Sequence, residues 1–262
     1  MVKFYESLSD DLRDWALEQQ LFFIATAPRH GKHVNLSPKG LPADTLYFRD
    51  PNHVQYLDLT GSGAETISHV YENGRATLMF CSFSQSPRIM RLFCTGRVIE
   101  YTHPEFKSLL PRFGKAETPG ARSIILLDIW KVQTSCGFAV PQFSKNISSD
   151  EIVEAGDTAP PVIPELADRD TLNNFAIKTE AAGKMSEYRA KNNSRSLDGL
   201  PGLRIARIDK GERVWLDGME SAYRQLVAQR QGILFGFVMA LVAMFLANLV
   251  QGQRGMVFVV RQ

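Results

Sequence analysis

Cysteine is scarce in this chain, and its placement excludes two common uses of the residue. Cys81, Cys94 and Cys136 are odd in number and have the spacing of neither a disulfide framework nor a zinc site. The five histidines show no H-x-x-x-H or other paired spacing. We therefore expect no metal site, and a folded part that faces a reducing compartment.

Net charge is also nearly absent, because 30 lysine and arginine residues oppose 28 acidic ones, which leaves a formal net charge of +2. This balance gives no basic patch, and without a recognition motif we expect no nucleic-acid partner. The N-terminal MVKFYESLSDDLRDW is too charged for a signal peptide. A chain of 262 residues can hold one barrel or sandwich core and something beyond it.

The most informative stretch is residues 54–98. An apolar segment, 54–59, leads into the turn TGSG at 60–63, and a helix is predicted over 64–72 with Asn-Gly as its left-handed C-cap. The two glycines of the turn are expected to adopt positive φ and to point several N–H groups into one concavity. Unpaired amides at a helix N-terminus attract anions, so the pattern predicts a phosphate site.

Two arginines follow this turn on a predicted hairpin. The hairpin joins β-type runs at 76–83 and 89–99, and Arg88 and Arg91 lie at its second run. Their guanidinium groups are expected to close over the phosphate. The turn lacks the Lys-Ser/Thr ending of a Walker loop and the glycine spacing of a Rossmann site. Any one of these features alone also fits a capped helix with a solvated turn and surface arginines.

Short strands dominate the rest of the first 147 residues. They are expected at residues 21–27, 32–36, 45–49, 54–59, 76–83, 89–99 and 123–133. The segment SPKG, 37–40, is expected to break the second strand. With a helix capped by Ser9 and another between Pro104 and Phe113, this pattern favours an antiparallel barrel over βαβ layers.

Together these motifs resemble the pyridoxamine 5'-phosphate oxidase-like flavoproteins, whose fold is an FMN-binding split barrel. The resemblance rests on FFIATAP at 22–28, HVNLSPKG at 33–40, YLDLTGSGAETISHVYENGRATLMF at 56–80, PRIMRLFCTGRV at 87–98, TSCGFAVP at 134–141 and SLDGLPGL at 196–203. It implies FMN as cofactor, a homodimer with the flavin between subunits, and Asn35, Ser37 and Lys39 at the flavin. The Arg and His motif that grips substrate phosphate in the true oxidases is absent, so oxidation of pyridoxamine phosphate is not expected.

The resulting hypothesis is an FMN-dependent oxidoreductase whose substrate is unknown. The residues expected to bind the cofactor are Asn35, Ser37, Lys39, Thr60, Gly61, Ser62, Gly63, Thr66, Arg88 and Arg91. Cys136 lacks a neighbouring His or Lys that would lower its pKa, so no nucleophilic role is expected. The alternatives are a binding module that holds flavin or a tetrapyrrole without turnover, and a dimeric scaffold tethered to a membrane.

The character of the chain changes after the predicted barrel domain, 1–147. A polar and helical extension is predicted over 148–217, with a helix at 172–191, and SLDGLPGL is expected to cover either a barrel mouth or a sheet edge.

A membrane-anchor region is predicted over 218–262. Residues 232–250 contain no charged residue, and a helix of this length spans roughly the 30 Å of a bilayer's hydrocarbon core. We expect a transmembrane helix that leaves the barrel facing the cytoplasm. Gly232, Gly236 and Ala240 form a weak small-residue stripe on it. The alternative is an apolar helix buried in an oligomer interface.

Overall fold

The computed structural model describes residues 2–114, 120–143 and 166–259. The chain forms two compact units, Met1–Asn174 and Phe175–Gln262. The predicted boundary between residues 147 and 148 and the polar segment after it lie outside the described residues.

The first unit is mainly antiparallel β-sheet with flanking helices, as predicted. Its strands are β1 (Lys3–Tyr5), β2 (Leu21–Thr26), β3 (Asn35–Gly40), β4 (Leu46–Asp50), β5 (His53–Leu59), β6 (Arg75–Cys81), β7 (Ile89–Glu100) and β8 (Ala121–Ser135). Its helices are α1 (Asp10–Leu17), α2 (Pro42–Thr45), α3 (Glu65–Asn73) and α4 (Pro104–Leu109), with a 3₁₀ turn at Leu110–Phe113. A two-stranded ribbon joins β9 (Gln142–Phe143) to β10 (Leu166–Ala167), and α5 (Thr171–Ala181) then begins in the first unit and ends in the second.

The main sheet has the strand order β3-β2-β6-β7-β8-β5-β4, with β1 paired to β8. It curls, because side chains of strands that are not neighbours touch. The ring of Phe22 on β2 lies 5.7 Å from the ring of Tyr56 on β5, and Lys39 Nζ on β3 lies 5.8 Å from the same ring. Buried apolar side chains from β2, β5, β6, β7 and β8 fill the inside of the curl. The curl brings the end of β3 close to β5.

The helix after the TGSG turn ends as predicted, but the turn itself differs. Gly74 caps α3 with a φ of 73°, in the left-handed region. Neither Gly61 nor Gly63 has a positive φ, so the predicted left-handed turn is wrong. Gly63 lies close to the carboxylate end of the Glu65 side chain.

The predicted strand break at SPKG is also wrong. Strand β3 continues to Gly40, with Pro38 opposite Phe23 of β2. Among the described strands β3 pairs only with β2 and forms an edge of the sheet, which is where strands tolerate proline. The continuation carries Lys39 along the sheet edge rather than into a loop.

The second unit is helical. It contains α6 (Met185–Asn193), α7 (Arg204–Asp209), a 3₁₀ turn at Val214–Leu216 and α8 (Asp217–Val259). The predicted single helix at 172–191 is two helices, because Gly183 adopts a φ of 64° between α5 and α6. Glu212 binds Arg195 and Arg207 at 2.9 Å each, and these guanidinium hydrogen bonds lower the pKa of its carboxyl.

Helix α8 is 43 residues long and starts well before the predicted apolar segment. Its stretch Leu226–Asn248 is long and apolar enough to cross a membrane, by length and composition, and its side chains are exposed.

Candidate functional site

A cleft of about 470 Å³ lies where the end of β3, the end of β5 and the start of α3 meet. Six of the predicted site residues line it: Ser37, Lys39, Gly61, Ser62, Gly63 and Thr66. Pro38, Leu59, Glu65 and Arg122 complete the lining. None of these four is a residue that the sequence predicted at the site.

The first turn of α3 opens into this cleft. The first intrahelical bond links the Ser68 amide to the Ala64 carbonyl at 2.9 Å, so the amides before Ser68 have no helical partner. Within the described part of the chain, no side chain caps this end of the helix. The free amides and the positive end of the helix dipole favour a bound anion here.

A buried hydrogen-bond network lies beneath the cleft and fixes its hydroxyl groups. Asn35 Nδ2 donates to Thr66 Oγ1 at 3.1 Å and to Thr26 Oγ1 at 3.2 Å, while the Ser37 hydroxyl donates to Asn35 Oδ1 at 2.8 Å. His69 Nδ1 lies 2.9 Å from Thr26 Oγ1. Asn35 therefore supports the site from below, and Thr66 keeps its own hydroxyl proton for a ligand.

Two cationic side chains line the cleft, Lys39 and Arg122. Arg122 Nε donates to Asp58 Oδ2 at 2.7 Å, and its side chain is 22% exposed. Within the described ranges, its two terminal nitrogens have no hydrogen-bond acceptor. A guanidinium held at one nitrogen can still give a bidentate pair of hydrogen bonds to a phosphate.

Asp58 is fully buried, and three side chains donate to it. Besides Arg122, the Ser123 hydroxyl donates to Oδ2 at 3.2 Å and the Tyr56 hydroxyl donates to Oδ1 at 3.3 Å. Burial, and then the nearby Asp58 charge, raise the pKa of Tyr56 far above its usual range. Tyr56 is thus a neutral hydrogen-bond donor whose ring lies under Lys39.

Three other predicted site residues have different surroundings in the single chain. Thr60 donates both its amide and its hydroxyl to the carbonyl of Gly120, at 2.7 and 2.8 Å. Arg88 lies over the ring of Trp15, 5.4 Å from its centroid, and Arg91 donates to Gln133 at 3.3 Å. Neither arginine is among the described residues that line this cleft.

Sequence reasoning missed Arg122 because its position depends on strand pairing over a long separation. Asp58 pairs with Ser123 across β5 and β8, which brings the neighbouring Arg122 to the end of β5. One signal was available: Asp58 lies between the apolar residues Leu57 and Leu59 of its strand, and a carboxylate buried there needs charged or hydrogen-bonding partners.

The three cysteines are free. Burial raises the pKa of both Cys81 and Cys94, and for Cys94 the nearby Asp128 adds to this effect. These two thiols therefore stay protonated and unreactive near neutral pH, since the thiolate is the nucleophile.

Comparison with known proteins identifies the family. No family model matches the chain. Over 215 residues it is 52% identical to the pyridoxamine 5'-phosphate oxidase family protein ustO of Aspergillus flavus, an alignment that covers 82% of this chain and 83% of that protein.

Three of the solved structures that resemble the chain match about half of it, at lower identity. A variant of HupZ from group A Streptococcus is 16% identical with a TM-score of 0.41, covering 49% of this chain and 99% of that one. A candidate pyridoxamine 5'-phosphate oxidase from Lactobacillus delbrueckii is 22% identical with a TM-score of 0.39, covering 49% and 94%. The FAD binding protein of Mycobacterium smegmatis is 13% identical with a TM-score of 0.34, covering 49% and 96%.

Similarity at this structural level transfers neither a ligand nor an activity. The sequence identity to the Aspergillus protein is decisive by itself, because it extends over four-fifths of both chains. This chain belongs to the pyridoxamine 5'-phosphate oxidase family.

Proposed function

We propose that this protein is an FMN-dependent oxidoreductase that binds the flavin phosphate in the cleft between β3, β5 and α3. The observation that carries the proposal is the convergence of Lys39, Arg122 and the open N-terminus of α3 on one cleft. Membership of a flavin-binding family supports it.

The cleft suits the proposed cofactor in size and chemistry. Its volume of about 470 Å³ lies within the range of small-molecule sites. Its donors comprise two cationic side chains, the hydroxyls of Ser62 and Thr66, and backbone amides, a set that matches a phosphate dianion. When bound, FMN would supply the redox chemistry.

The residues of the chain would then bind and orient the cofactor. Lys39 and Arg122 would neutralise the phosphate, and the first amides of α3 would donate to its oxygens. Thr66 would donate its free proton, since its oxygen already accepts from Asn35. The Ser37 hydroxyl already donates to Asn35, so Ser37 would accept a hydrogen bond from the cofactor instead.

The proposal includes a homodimer. Exposed aromatic side chains, Phe4 and Trp130, lie on β1 and β8, and the ring of Phe93 on β7 is 5.6 Å from that of Trp130. Arg91 lies two residues before Phe93 on β7, and it pairs with Gln133 of β8. In a homodimer Arg88 and Arg91 would join the flavin site of the second copy, instead of closing over the phosphate beside their own TGSG turn as the sequence predicted.

The proposal also includes a membrane anchor formed by the apolar part of α8, with the first unit in the cytoplasm. Leu226–Asn248 has the length and composition of a transmembrane helix, and large apolar side chains cover its surface.

The first test is the absorbance spectrum of detergent-purified protein, followed by mass identification of whatever is released on denaturation. We expect a yellow protein that releases FMN. A colourless protein that fails to take up added FMN would overturn the proposal.

Turnover requires a second measurement. Anaerobic titration of the FMN-loaded protein with NAD(P)H should bleach the flavin absorbance, and admission of oxygen should restore it. A flavin that binds stoichiometrically, but that neither nicotinamide nucleotides nor other donors reduce, would indicate a non-catalytic binding module.

A further inference from the structure

We infer that Asp58 is a positioning residue for phosphate recognition: it aims Arg122 into the cleft and holds the ring that supports Lys39. This inference rests on the proposed flavin site and deepens it. It assigns the positive charge that binds the FMN phosphate to Arg122 and Lys39, which the buried carboxylate of Asp58 links.

The geometry around Asp58 links it to both cations of the cleft. On one side, its Oδ2 accepts from Arg122 Nε at 2.7 Å, leaving the outer edge of the guanidinium for a ligand. On the other side, its Oδ1 accepts from the Tyr56 hydroxyl at 3.3 Å, and the Tyr56 ring lies 5.8 Å below Lys39 Nζ.

A purely structural role would not require this arrangement. A buried ion pair rarely stabilises a fold more than apolar residues of the same volume would, because the cost of desolvating the charges offsets their attraction. The arginine here is not sealed in with its partner, since its side chain keeps 22% of its exposure and lines the cleft. A fixed guanidinium loses less side-chain entropy when it binds phosphate, which strengthens that contact.

The test compares FMN with riboflavin, which lacks the phosphate, on the full-length protein in detergent. Dissociation constants are measured by quenching of flavin fluorescence for wild type, Asp58→Asn, Arg122→Gln and the double variant. We expect Arg122→Gln to weaken FMN binding by roughly 10- to 100-fold, as for the loss of a charged hydrogen-bond pair, and riboflavin binding by less than about twofold.

Asp58→Asn is expected to weaken FMN binding by roughly 5- to 30-fold in the wild-type background and much less in the Arg122→Gln background, because one residue acts through the other. Equal loss of FMN and riboflavin affinity, or the same loss in both backgrounds, would overturn the inference. Arg97→Gln is the matched control, since it removes an arginine from an exposed pair with Glu105 and should change neither constant.

Arg122→Lys keeps the test valid if Asp58→Asn fails to fold, or if Arg122→Gln does because it leaves the buried Asp58 carboxylate without its cation. A lysine keeps Asp58 paired, but its single ammonium cannot bind Asp58 and a phosphate in the same forked way. We expect the preference for FMN over riboflavin to fall at least about fivefold; an unchanged preference contradicts the inference. A wild-type protein that binds neither flavin would instead overturn the proposed function, so the two failures are distinguishable.

Discussion

Glu65 is the only acidic side chain among the described residues that line the cleft. It is the first residue of α3, and its carboxylate lies against Gly63, where the open helix end favours negative charge. A ligand phosphate would meet this carboxylate as a like charge.

Glu65→Gln is therefore expected to strengthen FMN binding by about two- to fivefold, because it removes a like charge from the phosphate site. Isothermal titration calorimetry measures the change. Glu72→Gln, the same change at the other end of α3, should leave the affinity as it is. Weaker FMN binding by the Glu65 variant would show that the carboxylate helps to form the site.

A second residue-scale feature lies at the bulge between β4 and β5. Partial burial would raise the pKa of Asp50, but hydrogen bonds from His53, the Asn52 amide and Arg49 outweigh it and lower the pKa to about 2. His53 Nδ1 lies 2.6 Å from Asp50 Oδ1. A carboxyl with a lowered pKa in the folded state adds stability above its unfolded pKa, near 4, and this stability is lost as the pH falls toward 2.

We expect wild type to be more stable than Asp50→Asn at neutral pH, and the difference to vanish between about pH 4 and pH 2. Urea unfolding at a series of pH values gives the two free energies. Asp168→Asn, at an exposed position, serves as the control. A difference that persists unchanged at pH 2 would exclude the ionised carboxylate as its source.

Two separate signals in the sequence pointed to residues that the fold brings together. Ser37 and Lys39, which the family resemblance implied, line the same cleft as four residues of the turn and helix motif: Gly61, Ser62, Gly63 and Thr66. Arg122 was missed because its place depends on the register between β5 and β8, which are more than 60 residues apart in the chain. Sequence spacing carries no information on that register.

Helix α3 shows the same contrast at the scale of one element. Its C-cap was predicted correctly because a left-handed cap depends on the local Asn-Gly pair. The conformation of the TGSG turn was predicted incorrectly. Thr60 donates a hydrogen bond to the carbonyl of Gly120, and sequence order does not reveal this contact.

Gly74→Ala should destabilise the protein by about 2 kcal/mol. A left-handed residue with a Cβ costs roughly 1–2 kcal/mol, and a Cβ here would also lie 3.2 Å from the carbonyl oxygen of Gly96. Gly114→Ala is the matched control, because Gly114 has a φ of 72° with open space around it, and should cost only the backbone strain. Urea unfolding measures both, and equal losses would mean that the contact with Gly96 is relieved without cost.

At the scale of the whole molecule, composition predicted two kinds of structure in one chain. The first unit is a curled sheet around an apolar core, and the second contains one long helix with exposed apolar side chains. The overall sheet type followed from strand periodicity, whereas the split of the helix at Gly183 depends on one backbone angle.

The proposed anchor predicts how the protein fractionates. Val238→Arg with Leu241→Arg places two charges in the middle of the apolar stretch, each costing roughly 2.5–3.5 kcal/mol on insertion. We expect this variant to be extracted from membranes by alkaline carbonate while wild type stays in the pellet. Met219→Arg with Tyr223→Arg, on the same helix before the stretch, should behave as wild type. Wild type found in the carbonate supernatant would contradict the anchor.

The proline in the edge strand has a consequence for neighbouring molecules. An unpaired strand edge normally invites a strand of another chain to add to the sheet. Pro38 offers no backbone hydrogen to such a strand at the residue next to Lys39. A strand of a second chain is therefore disfavoured along the part of β3 that carries Lys39. The cleft beside this edge remains open to small solutes.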